Sequence, residues 1–114
     1  MNVLIVDGKL PHGLAIAGVI YTGFAMREAE LADMIEAELD SGGPGNAIHY
    51  NAQLAVRQLT KVTSADGQEY KGPFVVSMLK KRGDFLALRH AQMELDDLGN
   101  AAPSASESTG TLSN

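Results

Sequence analysis

No helix or strand runs through Ser41-Gly42-Gly43-Pro44-Gly45. Three glycines have the most backbone freedom to lose on ordering, and the proline has no amide proton to give to a ladder. The run divides the 114-residue chain into two parts, each of which must build its own elements. It lacks the Lys-Ser/Thr pair of a phosphate-binding loop and follows a helical pattern rather than a strand, so it reads as a break between helices.

Before the break, the chain opens with strand-like material. Val3, Leu4, Ile5 and Val6 form a short apolar run closed by Asp7-Gly8 and Pro11. Leu14 and Ile16 alternate with alanine, Ala17-Gly18 offers a tight turn, and Val19 to Thr22 is rich in β-branched residues. The pattern predicts a hairpin with an additional strand. A helix over residues 30–40 follows, in which Leu31, Ile35 and Leu39 recur every four residues and Ala32 and Met34 widen the stripe. Its other face carries Glu28, Glu30, Asp33, Glu36, Glu38 and Asp40 without one basic residue. The early acids suit the positive end of the helix dipole, whereas Glu38 and Asp40 oppose it at the other end.

After the break, Asn46 is placed to cap a second helix whose apolar positions are Ile48, Ala52, Ala55, Leu59 and Val62. Asp66-Gly67 marks a turn between Val62-Thr63 and Gln68-Glu69-Tyr70, the signature of a second, short hairpin. Pro73 is predicted to open a third helix containing Phe74, Met78 and Leu79, with Phe74 buried against the second and last helices. Lys80, Lys81 and Arg82 then complement that helix's C-terminus, and Gly83 caps it. Asp84 is predicted as the N-cap of the last helix, whose Phe85, Leu88, Gln92, Leu95 and Leu98 share one face before Gly99. The expected architecture is α+β: small N-terminal antiparallel strands followed by about four helices, in one domain over residues 1–100. Residues 101–114, AAPSASESTGTLSN, offer too little apolar surface to offset about 1–2 kcal/mol of backbone ordering per residue, and are expected to form a disordered tail.

Composition narrows the function. With 45% apolar residues, mean hydropathy −0.05 and no apolar run of about 18 residues, the chain has the profile of a soluble globular domain without a membrane span. No basic segment followed by an apolar stretch marks a signal peptide. The absence of cysteine excludes disulfides, thiolate catalysis and Cys-ligated zinc. A net charge of −5 argues against binding nucleic acid, because neutralising phosphates needs clustered Lys and Arg. His12, His49 and His90 are isolated from one another, and Ser41, Ser64 and Ser77 have no G-x-S-x-G context or local base. Asp96-Asp97 reads as a solvated helix face. No catalytic residue, metal ligand or cofactor is expected. The charge is unevenly spread: residues 28–40 are purely acidic, while Lys71 to Arg89 holds five basic residues against Asp84. This asymmetry either holds the two regions together or pairs protomers head to tail.

Several short signatures occur in order: Phe24-Ala25-Met26-Arg27-Glu28 followed by Asp33, then Arg57-Gln58-Leu59, then Gly67 and Gly72-Pro73-Phe74. They lead to Asp84-Phe85-Leu86-Ala87-Leu88, Ala91-Gln92-Met93-Glu94-Leu95-Asp96 and Leu98-Gly99. The set resembles the tail assembly chaperones of contractile-tailed, Mu-like bacteriophages and prophages, over most of residues 19–99. The resemblance implies a non-enzymatic assembly factor in the cytoplasm of the infected cell. Such a factor binds the tape-measure protein, keeps it soluble until tail-tube subunits polymerise around it, and is absent from the finished virion. It also implies a frameshifted longer form of the chain as a partner, and a homo-oligomer is among the states to be expected. On this reading Phe24, Leu54, Phe85 and Leu88 lie on or beside a client groove, and Arg27, Asp33, Asp84 and Gln92 fix its geometry by hydrogen bonds or ion pairs. The alternative for each residue is core packing or helix capping. Two rival functions are a virion structural protein, such as a tail-completion or adaptor subunit, and a small helix-turn-helix regulator. The acidic 30–40 helix weighs against the regulator, which needs a basic helix in the groove of DNA.

Overall fold

The computed structural model describes residues 3–42 and 45–100 of the chain. It is an α+β fold, as expected: β1 (Ile5–Ile16), β2 (Val19–Arg27), α1 (Leu31–Ser41), α2 (Ala47–Gln58), β3 (Leu59–Ser64), β4 (Glu69–Tyr70), a short 3₁₀ turn (Val76–Met78) and α3 (Arg82–Asn100). The four strands form an antiparallel sheet in sequence order, with the α1–α2 pair inserted between β2 and β3. The predicted tail over residues 101–114 lies outside the described residues.

The Ala17-Gly18 turn is present, with both residues at positive φ (50° and 82°), the geometry that lets a two-residue connection follow the twist of its strands. The strand preceding it is longer than its punctuation suggests. Val3 to Val6 does not form a separate strand; the chain passes through Asp7-Gly8 and Pro11 as the single strand β1. Proline is tolerated because β1 is an edge strand, and a slip in register between Lys9 and Leu14 takes up the irregularity. Gly8 is required by its neighbour across the ladder: a Cβ at that position would lie 2.5 Å from the Phe24 ring, which covers the glycine.

Further expectations are corrected. Leu59 and Val62 belong to β3 rather than to the second helix, and pair with Met26 and Phe24 of β2. Their three-residue spacing fits a helix, but a slip in register between Ala25 and Met26 lets a strand bury both, and the β-branched Thr60, Val62 and Thr63 favour the strand. Pro73 opens no helix: the Gly72-Pro73 bond is cis, Gly72 sits at φ +105°, and only one 3₁₀ turn follows. Lys80 and Lys81 therefore precede α3 instead of ending a helix, and Gly83 lies in the first turn of α3 rather than at a C-cap. The described residues hold three α-helices and one 3₁₀ turn, not four helices. Phe74 is half-buried at the margin of the core, edge-on to Tyr70 with ring centres 5.4 Å apart. The Asp66-Gly67 turn joins β3 to β4 as expected.

The core lies between one face of the sheet and helices α2 and α3. Leu10, Leu14, Phe24, Met26 and Val62 project from the strands to meet Ala55 of α2 and Leu88, Ala91 and Leu95 of α3. Among the described residues no helix is long and apolar enough to cross a membrane.

Candidate partner-binding surface

Helix α1 is attached through its polar side. Arg27, at the end of β2, grips Asp33 with both terminal nitrogens (2.7 and 3.0 Å) and donates to the Arg57 carbonyl at 2.9 Å. Asp33 also accepts the Glu30 amide at 2.8 Å, and the Glu30 side chain completes a capping box at the start of α1. From α2, Arg57 reaches Glu36 at 3.4 Å and also pairs with Asp40. It is itself braced by the Gln53 carbonyl and side-chain oxygen, both at 2.9 Å. The Arg27 hydrogen bonds hold the Asp33 carboxyl below its ordinary range against the opposing effect of burial, and the same pairing raises Arg27. The small residues Ala37 and Ser41 complete the side of α1 turned to the protein.

The apolar stripe consequently points away. Leu31 is 71% exposed, Ile35 51% and Leu39 76%, with Met34 also exposed. A surface helix ordinarily turns such a stripe to the core. Here it stands in solvent, beside a shallow hollow formed with Glu38 and Tyr50.

On another side of α2 lies an open groove of about 610 Å³. Its walls are Ile48, His49 and Ala52 from the start of α2, Val76 and Leu79 from the segment around the 3₁₀ turn, and Phe85 from α3. Ile48 is 74% exposed. Asn46 stands at the N-cap position of α2, but its side chain donates to the Ser41 carbonyl at 3.0 Å instead of capping the helix. Lys80, Lys81 and Arg82 follow the wall residue Leu79 in the chain, precede Phe85, and are exposed.

The residues singled out from sequence fall into different places. Phe85 lines the groove and Leu54 is half-buried on α2. Phe24 and Leu88 are buried in the core, Phe24 also lining two hollows beside Gly8 and Lys9 of β1. Arg27 and Asp33 form the brace under α1. Asp84 is not the N-cap of the last helix: it lies inside the first turn of α3, buried, and accepts the His12 amide of β1 at 2.8 Å. That bond satisfies an edge-strand N–H where the β1 register slips. Gln92 is buried too. Its amide donates to Gln58 Oε1 at 2.8 Å and to the Asn51 carbonyl at 3.2 Å, while its oxygen accepts from Arg89 at 2.6 Å. Gln58 in turn donates to the Arg27 carbonyl at 3.0 Å. Asp84, Gln92 and Arg27 thus hold β1, β2, α2 and α3 in place, and none of the three lines the groove. Sequence reasoning named neither Ile48, Val76 and Leu79 as groove walls nor the α1 stripe as surface. The available signal was Arg57, a cation one helix away from an all-acidic helix face.

His12, His49 and His90 lie on β1, α2 and α3, respectively. Among the described residues no group of three or more His, Cys, Asp or Glu side chains is placed to hold a metal ion. The chain matches no family model, no curated protein and no solved structure.

Proposed function

We propose that this protein is an assembly chaperone that performs no chemistry: it shelters an apolar helical segment of a client, and that client is the tape-measure protein of a contractile-tailed, Mu-like phage. The observation that carries the reading is the open apolar groove walled by Ile48, Ala52, Val76, Leu79 and Phe85. Laying the apolar face of an amphipathic helix into such a groove is a recurrent way to recognise a helix, and each Å² of apolar surface removed from water contributes about 25 cal/mol. The net charge of −5 keeps the chaperone itself dissolved while it holds a sticky partner. Arg27, Asp33, Asp84 and Gln92 act as framework, fixing the elements that carry the groove. The protein works in the cytoplasm of the infected cell and leaves before the virion is complete.

Co-expression with the tape-measure protein of the same phage tests this reading. The client should stay soluble and co-purify with the chaperone, and the Phe85→Ala and Ile48→Glu variants should lose it. A client equally soluble with and without this protein would remove the assignment. Peptides of this protein in purified tails would replace it with a virion structural role.

A further inference from the structure

We infer that the groove has a resident occupant: helix α1 of a second copy of this chain, docked head to tail with its Leu31, Ile35 and Leu39 stripe against the Ile48, Val76, Leu79 and Phe85 walls. The inference rests on the groove being the docking surface proposed above, and not on the identity of the client.

The chain carries both halves of the contact. The donor half is a helix of 11 residues, about 16 Å long at 1.5 Å per residue, whose apolar stripe is uncovered in the protomer. At about 100° per residue, Glu36 and Glu38 fall on either side of Ile35, so acids border the stripe. Residues 28–40 hold six acids and no base, and Arg27 and Arg57 offset only part of that charge. The acceptor half is apolar, with Lys80, Lys81 and Arg82 inserted between two of its wall residues.

Within one protomer these halves do not meet. Among the described residues the ion pairs join Arg27 to Asp33, Arg57 to Glu36 and Asp40, and Lys61 to Glu69, and none links residues 28–40 to the basic stretch 71–89. The two charged regions are thus not joined by an ion pair within the protomer, which leaves the asymmetry available for pairing between protomers. The geometry permits a chain of contacts. Tyr50, Gln53 and Arg57 of α2 face α1, whereas Ile48 and Ala52 face the groove, so one protomer can donate α1 and accept another at the same time. A symmetric α1-to-α1 dimer would bring the acidic borders of both stripes together, and like charges across an interface are unfavourable. A contact between two different surfaces closes into a ring or continues as a filament.

Sedimentation of the full-length protein over a wide concentration range is the test, with Ile35→Glu as the donor variant and Ile48→Glu as the acceptor variant. Both sites are exposed, so unchanged circular dichroism should accompany either substitution. The wild type should associate with rising concentration, and each variant alone should weaken association about tenfold or more. An equimolar mixture retains one intact α1 and one intact groove, and should form a 1:1 heterodimer and nothing larger. Lys80→Glu combined with Lys81→Glu gives a second acceptor variant that should pair with Ile35→Glu in the same way. A wild type that stays monomeric throughout would overturn the inference. So would a dimer lost in Ile35→Glu, retained in Ile48→Glu and not restored by mixing. Either failure leaves the chaperone reading to its own co-expression test.

Discussion

Helices α1 and α3 are both amphipathic, yet they settle in opposite senses. α3 turns Leu88, Ala91 and Leu95 to the sheet, and the one long polar side chain on that face, Gln92, is received by Gln58 and the Asn51 carbonyl. α1 turns Asp33 to the protein, pairs Glu36 and Asp40 with Arg57 at the margin, and leaves Leu31, Ile35 and Leu39 in water. Full burial of one such side chain is worth about 1.5–3 kcal/mol, so apolar burial alone would turn α1 over. What holds it is position: the surface that α1 meets presents Arg27 and Arg57, whose bonds to Asp33, Glu36 and Asp40 need the acidic side of the helix. The orientation of an amphipathic helix is decided by what waits for it, and a helix meeting two arginines is left with an apolar face to offer elsewhere.

The largest test of this contrast is one substitution made at two places. Leu88→Ala, which empties a fully buried site against the sheet, should lower unfolding free energy by about 2–5 kcal/mol. Leu39→Ala, the same chemical change on the exposed stripe, should stay within about 0.5 kcal/mol in the monomer. Urea denaturation at low protein concentration reads both. A comparable loss at Leu39 would mean that the stripe is covered by the protein's own chain.

A smaller effect is expected from the polar residue on the buried side. Gln92→Ala removes the donor to Gln58 Oε1, leaving that buried acceptor without a partner, and the second bond to the Asn51 carbonyl, at a cost of about 1–3 kcal/mol. Replacing Gln58 and Gln92 together should cost less than the sum of the single losses, since each single variant strands the other amide. Additive losses in that double-mutant cycle would break the account of Gln92 as a member of a network.

The contrast also separates what is legible in the sequence from what only the fold brings together. The α+β class, the Ala17-Gly18 and Asp66-Gly67 turns and the boundary at Ser41-Gly42 are local properties, written in the turn chemistry of a few residues. α3 could be read because its apolar period extends over several turns. At Leu59 and Val62 a spacing of three satisfies a helix and, with a slip in register, a strand. Pro73 misled because its compatibility with a helix start says nothing of Gly72 at positive φ or of the β-branched Val75 and Val76 after it. The groove was illegible for a different reason. Ile48 is far in sequence from Leu79 and Phe85, and they converge only once β3 and β4 have returned the chain to α2. The facing of α1 depends likewise on Arg27 and Arg57, one on each side of the helix in sequence, arriving under it together.

If α1 is held by charge and α3 by apolar burial, acid should separate them. The Arg27 hydrogen bonds keep the Asp33 carboxyl below its ordinary range in the folded protein, so folding favours the ionised form. The resulting stability is fully present above the unfolded value of about 3.9 and is lost as pH falls through the lower native value. α1 should therefore loosen first as the solution is acidified below about pH 4, while α3 keeps its protection. Amide hydrogen exchange resolved by residue can follow both helices in one sample. Asp33→Asn retains the shape but not the charge: it should cost about 1 kcal/mol at neutral pH, within the range for a hydrogen bond, and flatten the acid dependence of α1. Equal loss of protection in the two helices, or an acid response of α1 unchanged in Asp33→Asn, would place the hold on α1 somewhere other than the Arg27 pair.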